Sequence, residues 1–163
     1  MINKFNIINL NFGLLILLPF SLLTGPFLPD LIISIVAINF LFYIFLVKDY
    51  KYIKNGIFIF LLSFYIYLLI NSLISDNISQ SLRSSLFYFR FIIFPFAIWL
   101  LIDKKKIFIR YFSVSLLISF ILALASGLYQ YIYNINFFGF TAEYDFRLTL
   151  LLSDEMVLGH YLS

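Results

Sequence analysis

Five long apolar stretches, separated by short polar connections, constrain this chain more than any other feature. A helix needs about 20 apolar residues to cross the hydrocarbon core of a bilayer. The stretches are Ile7–Leu23, Leu31–Val47, Ile57–Ile74, Leu86–Ile102 and Ile107–Gly127. The predicted fold class is therefore all-α, a polytopic integral membrane helical bundle with a transmembrane region over residues 1–127.

The basic residues of the connections alternate between the two sides of the predicted bundle. The connections after the second and fourth stretches contain Lys48, Lys51 and Lys54, then Lys104, Lys105 and Lys106. Those after the first and third contain Asp30, Asp76 and only Arg83. Short basic loops stay in the cytoplasm, so we predict a cytoplasmic amino terminus and an outer carboxyl-terminal end. The Gly- and Pro-rich connection Thr24–Asp30 is expected to extend neither flanking helix.

Composition excludes several classes of function. The chain is 63% hydrophobic and 12% charged, whereas soluble domains are about a quarter charged. The net charge of +3 is small and most of the basic residues lie in the connections, so the charge indicates membrane orientation and no nucleic-acid partner is predicted. Without cysteine, the chain has no disulfide, no Cys-ligated zinc and no thiol nucleophile. No cofactor and no metal are predicted.

Arg90 is the most unusual residue of the predicted helices, because aromatic and aliphatic residues flank it on both sides. An arginine at membrane depth costs a few kcal/mol unless it meets water, a partner or the protein interior. Arg83 precedes it by two helical turns, which predicts two guanidinium groups on one face that suits an anionic head group. Alternatively, both arginines only reach out to lipid phosphates. Pro95 predicts a kink in the same helix.

The segment 128–163 is the least apolar part of the chain and is predicted to lie outside. Tyr129, Tyr131 and Tyr133 would share one face of a strand but spread around a helix. They fit either an aromatic belt at the interface or a platform on which sugars stack. The later residues Arg147, Glu155 and His160 include potential acid–base groups, but their spacing is a weak catalytic signal, so the catalytic residues stay unknown. The abrupt outer-side end predicts a fragment.

Several short motifs together resemble the amino-terminal half of O-antigen polymerases and O-antigen ligases. The first motifs are Leu18–Phe20 and Thr24–Asp30, and the next is the helix from Ser81 to Ile102. In the last, Arg147–Ser163, the residues in register with the family are Arg147, Asp154, Glu155, Gly159, Tyr161 and Leu162.

The resemblance implies an inner-membrane glycosyltransferase of the GT-C type that uses glycans on undecaprenyl pyrophosphate at the periplasmic side. Arg83, Arg90 and Arg147 would contact the pyrophosphate or glycan, and Glu155 would orient substrate or brace an arginine. Arginines would neutralise the developing charge without a metal.

Two departures from the family matter. Leu150–Leu152 occupy a stretch where the family has small residues. The family's second half, which carries further catalytic residues, is missing, so His160 is not assigned to its catalytic histidine and the fragment is expected to be inactive alone.

Two alternatives remain open. A transporter or lipid flippase would use Arg90 to line a path, but should show a broken helix or inverted repeats, and the sequence indicates neither. A non-catalytic membrane protein would use the arginines only as anchors. The sequence does not predict the sugars, the choice between polymerase and ligase, or the oligomeric state.

Overall fold

The computed structural model describes residues 4–133 and Ile135, and helices dominate this part of the chain. The helices are α1 (Lys4–Ser21), α2 (Phe27–Val47), α3 (Gly56–Ile74), α4 (Ile78–Phe87), α5 (Phe89–Lys104) and α6 (Phe108–Tyr133). Short 3₁₀ turns follow α1 and α2, at Leu22–Thr24 and Tyr50–Tyr52. No β-strand occurs among the described residues.

Five helical segments are long and apolar enough to cross a membrane. They are Asn6–Thr24, Phe27–Val47, Gly56–Ile74, Ile78–Lys104 and Phe108–Tyr133. The predicted all-α fold with five spans is thereby confirmed for residues 4–133, and the chain is built as a multi-pass membrane protein. The last span continues beyond Gly127 to Tyr133, so the three alternating tyrosines spread around a helix. The rings of Tyr129 and Tyr133, one turn apart, lie 4.6 Å from each other.

The connection between the first two spans is shorter than the sequence indicates. The chain reverses at Gly25, whose φ of 106° lies in the region that favours glycine. Helix α2 then begins at Phe27 and takes in both Pro29 and Asp30. The prediction that Thr24–Asp30 stays outside the helices is therefore wrong. Proline fits the first turn of a helix because an N–H there has no intrahelical acceptor.

Helices α2 and α3 are joined by a tight connection. Helix α2 ends at Val47. Lys48, directly after it, has a positive φ of 56°, and its N–H donates to the Ile44 carbonyl at 2.8 Å. Asn55 caps α3, because its side-chain oxygen accepts a hydrogen bond from the Phe58 N–H at 2.8 Å. The same side chain donates to the Tyr52 carbonyl at 2.7 Å. These bonds fix where both helices stop and start.

The described residues form two compact units, the first from residues 4–11 and Ile33–Lys106. Its core is built from α2 and α5, whose buried residues recur every three or four positions, as one helix face requires. The buried residues are Val36, Ala37, Phe40, Tyr43, Ile44, Ile92, Ile93, Phe96, Ala97, Leu100 and Leu101. The fully buried Tyr52 joins this core, with its ring 6.3 Å from that of Phe40 and 5.5 Å from that of Trp99.

An amide pair links α1 and α2 within the first unit. The Asn39 side-chain amide donates to the Asn11 side-chain oxygen at 2.8 Å. Asn11 is only 1% exposed, so this bond satisfies a polar group that neither water nor a lipid head group reaches. Hydropathy alone gives no sign of it.

The second unit joins Phe12–Ile32 to α6. One face of α6 carries small or polar buried residues at helical spacing, namely Ser115, Ser119, Ala123, Ser126, Gly127 and Gln130. Such residues let two helix backbones approach closely inside a membrane. The Ser115 hydroxyl donates to the Ile16 carbonyl of α1, and the Phe12 ring meets those of Phe108 and Tyr111 at 6.1 and 6.0 Å. The unit is therefore packed through close backbone contact and a ring cluster.

Candidate functional site

The fourth span is interrupted at Tyr88, between α4 and α5. There the Tyr88 N–H donates to the Ser85 carbonyl at 3.2 Å, and the Phe91 N–H donates to the Tyr88 carbonyl at 3.0 Å. Both bonds join residues three apart, so the chain winds more tightly than an α-helix at this point. Tyr88 keeps helical dihedral angles (φ −64°, ψ −20°), so the span continues from Arg83 to Arg90 but with one tightened turn between them. The interruption also does not lie at Pro95, which remains inside α5.

Tyr65 of α3 contacts residues on both sides of the interruption at Tyr88. Its hydroxyl donates to the Leu86 carbonyl at 3.4 Å, and its ring lies 5.7 Å from that of Phe89. A carbonyl beside a change of helical winding loses its regular acceptor geometry, so a hydroxyl from a neighbouring helix compensates it. Tyr65 is buried, which fixes its hydroxyl at this place.

Arg90 is the second residue of α5 and lies directly after the interruption. It is half-buried, and its Nη1 donates to the Ser34 hydroxyl of α2 at 3.3 Å. Its guanidinium carbon lies 4.9 Å from the centre of the Phe91 ring, a cation–π distance. A hydroxyl and an aromatic face thus orient a planar group with five N–H donors.

The position of Arg90 along α5 gives its depth. With a rise of about 1.5 Å per residue, Arg90 lies about 21 Å from Lys104 along the helix axis. If the lysine end marks one boundary of a core about 30 Å thick, Arg90 lies about 9 Å below the other boundary. At that depth the contacts with Ser34 and Phe91 are energetically important.

The other predicted site residues differ in what the structure shows of them. Arg83 lies on α4 and is exposed. It and Arg90 are separated by the interruption at Tyr88, so their spacing does not follow one regular α-helix. Arg147 and Glu155 lie outside the described residues, as do the remaining motif residues of 147–163.

The lysine-rich end of the first unit contains an ionic cluster that sequence reasoning missed. The Asp103 carboxylate accepts from the Lys51 Nζ at 2.9 Å and from the Tyr52 hydroxyl at 3.2 Å. Lys104 lies 3.8 Å from Asp49. The sequence did contain a signal for this cluster. An aspartate and several lysines occur at the end of both the second and the fourth spans, which are predicted to end on the same side of the membrane. The cluster ties the α2–α3 connection to the end of α5.

The cluster shifts the ionisation of its members. The hydrogen bond and charge of Asp103 raise the pKa of Lys51 above its ordinary value, so this lysine stays charged. Burial, followed by the charge of Asp103 and the hydrogen bond to it, raises the pKa of the Tyr52 hydroxyl. The hydroxyl therefore remains a protonated donor to the carboxylate.

Among residues 4–133, no group of three or more His, Asp or Glu side chains is arranged to hold a metal ion. Comparisons with family models, with curated proteins and with solved structures found no match to this chain. Arg90 with its surroundings, together with the short sequence motifs, is therefore the feature that indicates a function.

Proposed function

We propose that this chain is the amino-terminal part of a membrane glycosyltransferase that resembles O-antigen polymerases and ligases. It would act in the bacterial inner membrane on glycans carried by undecaprenyl pyrophosphate, with a fold of the GT-C type and the Arg90 end of α5 toward the periplasm. The observation that carries this proposal is Arg90, a half-buried guanidinium that Ser34 and Phe91 orient at the start of α5.

Arg90 suits a lipid diphosphate for two reasons. A guanidinium presents its donors in a planar fork that matches two phosphate oxygens, which a lysine ammonium does not. The contacts with Ser34 and Phe91 hold that plane in one orientation, and an oriented group loses less conformational entropy when it binds. The resemblance to the polymerase and ligase family implies that the proposed site also includes Arg83, Arg147 and Glu155.

The test measures binding, because further catalytic residues of such enzymes belong to a second half that these 163 residues do not include. The chain is placed in lipid nanodiscs and titrated with undecaprenyl pyrophosphate. Arg90→Ala and Arg90→Lys should each weaken binding about tenfold or more, since a charge-assisted hydrogen bond contributes about 1.5–3 kcal/mol. Arg110→Ala, which removes an exposed arginine of α6, is the matched control and should bind normally.

Two results would contradict the site. Equal binding by Arg90→Ala would remove Arg90 from it. Normal binding by Arg90→Lys with weak binding by Arg90→Ala would show that only charge matters, as for an arginine that anchors the protein at lipid phosphates.

The interruption at Tyr88 favours one second candidate, a flippase for an anionic lipid. Transporters build their binding sites at discontinuous membrane helices, and Arg90 follows such a discontinuity. Reconstituted protein should then move a fluorescent lipid diphosphate across vesicles faster than protein-free vesicles do. The glycosyltransferase proposal expects binding without such movement.

A further inference from the structure

One end of the first unit carries more positive charge than its own carboxylates compensate. The α2–α3 connection contains Lys48, Lys51 and Lys54, and the end of α5 continues into three consecutive lysines. Asp49 and Asp103 are the only acidic residues in these two connections, which leaves a net charge of +4. This excess positive charge is concentrated where α2 and α5 end and α3 begins.

Each of the two carboxylates forms an ion pair with one lysine. Asp103 pairs with Lys51 at 2.9 Å, and Asp49 with Lys104 at 3.8 Å. Lys105 donates to the neutral side chain of Asn9. Lys48, Lys54 and Lys106 are exposed and make no ion pair within the described part of the chain. We call these three residues the lysine surface.

The lysine surface is held at the level of the helix ends. The ion pairs between Asp49, Lys51, Asp103 and Lys104 tie the two connections together, and the cap at Asn55 fixes the start of α3. Lys54 lies 5.6 Å from the centre of the Tyr50 ring, which is 44% exposed. Tyrosine and lysine at the end of an apolar span are typical of the depth of lipid head groups.

We propose that the lysine surface binds the phosphate head groups of anionic phospholipids in the adjoining leaflet. The apolar spans that begin and end beside these lysines place them against a bilayer, where a layer of lipid phosphates lies at their level. Ammonium groups that form no ion pair with a carboxylate among the described residues attract such phosphates. This binding is independent of the diphosphate site proposed for Arg90.

The experiment counts lipids that remain bound after release from bilayers of equal parts phosphatidylglycerol and phosphatidylcholine, by native mass spectrometry. The wild-type chain should retain phosphatidylglycerol preferentially, and less of it as the salt concentration rises. Each lysine of the surface replaced by Gln should weaken this retention about fivefold. Replacing all three by Arg keeps the charge and should keep the preference.

Ser79→Gln is the matched control, because it introduces the same side chain at an exposed position of α4, away from the two lysine connections, and removes no charge. It should retain phosphatidylglycerol as the wild type does. Single variants Lys54→Gln and Lys106→Gln supply the test if the triple Gln variant does not fold, as judged by circular dichroism.

Three outcomes would overturn the proposal. In the first, Gln variants that fold retain as much phosphatidylglycerol as the wild type. In the second, Ser79→Gln loses as much as a single lysine variant. In the third, soluble glycerol phosphate at the same concentration displaces the lipid, which would identify a site for a free phosphate and not for a membrane surface.

Discussion

The buried amide pair between Asn11 and Asn39 should show that one unpaired polar group costs more than the loss of a whole hydrogen bond. Replacing Asn39 by Leu leaves the side-chain oxygen of Asn11, a residue that is 1% exposed, without the N–H that donates to it at 2.8 Å. Leucine has a similar volume, so no large cavity forms. The variant isolates the polar term.

The magnitudes follow from burial. An orphaned buried amide costs about 1–3 kcal/mol, so Asn39→Leu should lower the free energy of unfolding by that amount. Asn11→Leu leaves Asn39, which is only half-buried, and should cost less. The double variant removes both amides and should be more stable than Asn39→Leu alone. Hydrogen bonds between membrane helices couple by about 0.6 kcal/mol on average and up to about 1.7.

The assay is reversible unfolding in mixed micelles, followed by circular dichroism as the fraction of denaturing detergent rises. All four members of the double-mutant cycle are measured in the same micelles. Asn71→Leu, at an exposed position of α3, is the control and should not lower stability. A double variant no more stable than Asn39→Leu would refute the reasoning, because the two amides would then not depend on each other.

Three further predictions concern packing, backbone strain and the ionic cluster. Ala123→Leu at a fully buried position of α6 should cost about 1–3 kcal/mol by overpacking, whereas Ala125→Leu at an exposed position should be neutral in the same unfolding assay. Gly25→Ala should destabilise by about 1–2 kcal/mol because of its φ of 106°, while Gly13→Ala, with open space around the new methyl group, should be neutral or stabilising. Tyr52→Phe removes a hydroxyl from the Asp103 carboxylate and should lower the thermal midpoint by about 2–4 °C without changing helix content.

The five spans could be predicted because membrane insertion depends on local composition. A stretch of apolar residues is recognised without knowledge of what it packs against. Hydropathy alone does not include α4 in the fourth span, because its sequence from Ile78 contains Ser79, Gln80 and Arg83. The backbone hydrogen bonds of a helix do not require apolar side chains. In α4 the Ser84 hydroxyl also donates a hydrogen bond to the Gln80 carbonyl at 3.2 Å. Hydropathy therefore placed the start of the fourth span eight residues too late.

The candidate site was predicted only in part. Arg90 could be identified because a charge among apolar residues is unusual in any arrangement of the helices. Its partner Ser34 lies 56 residues away, and the contact depends on how α2 and α5 are aligned. The contact of the Tyr65 hydroxyl with the Leu86 carbonyl depends in the same way on how α3 is aligned with α4. Pairwise contacts of this kind carry no local signature, so periodicity and composition cannot supply them.

The two ends of α5 allow the two proposals to be tested against each other. Arg90 and Lys104 lie about 21 Å apart along the helix axis, and substitutions more than about 10 Å apart with no shared partner usually act additively. Arg90→Ala should therefore weaken diphosphate binding and leave phosphatidylglycerol retention unchanged, while neutralising the lysine surface should do the reverse. A combined variant should show both losses at the size of each alone. If either set of changes altered the binding of both lipids, the chain would have one unspecific preference for anionic lipids. The proposal that Arg90 binds a lipid diphosphate specifically would then be wrong.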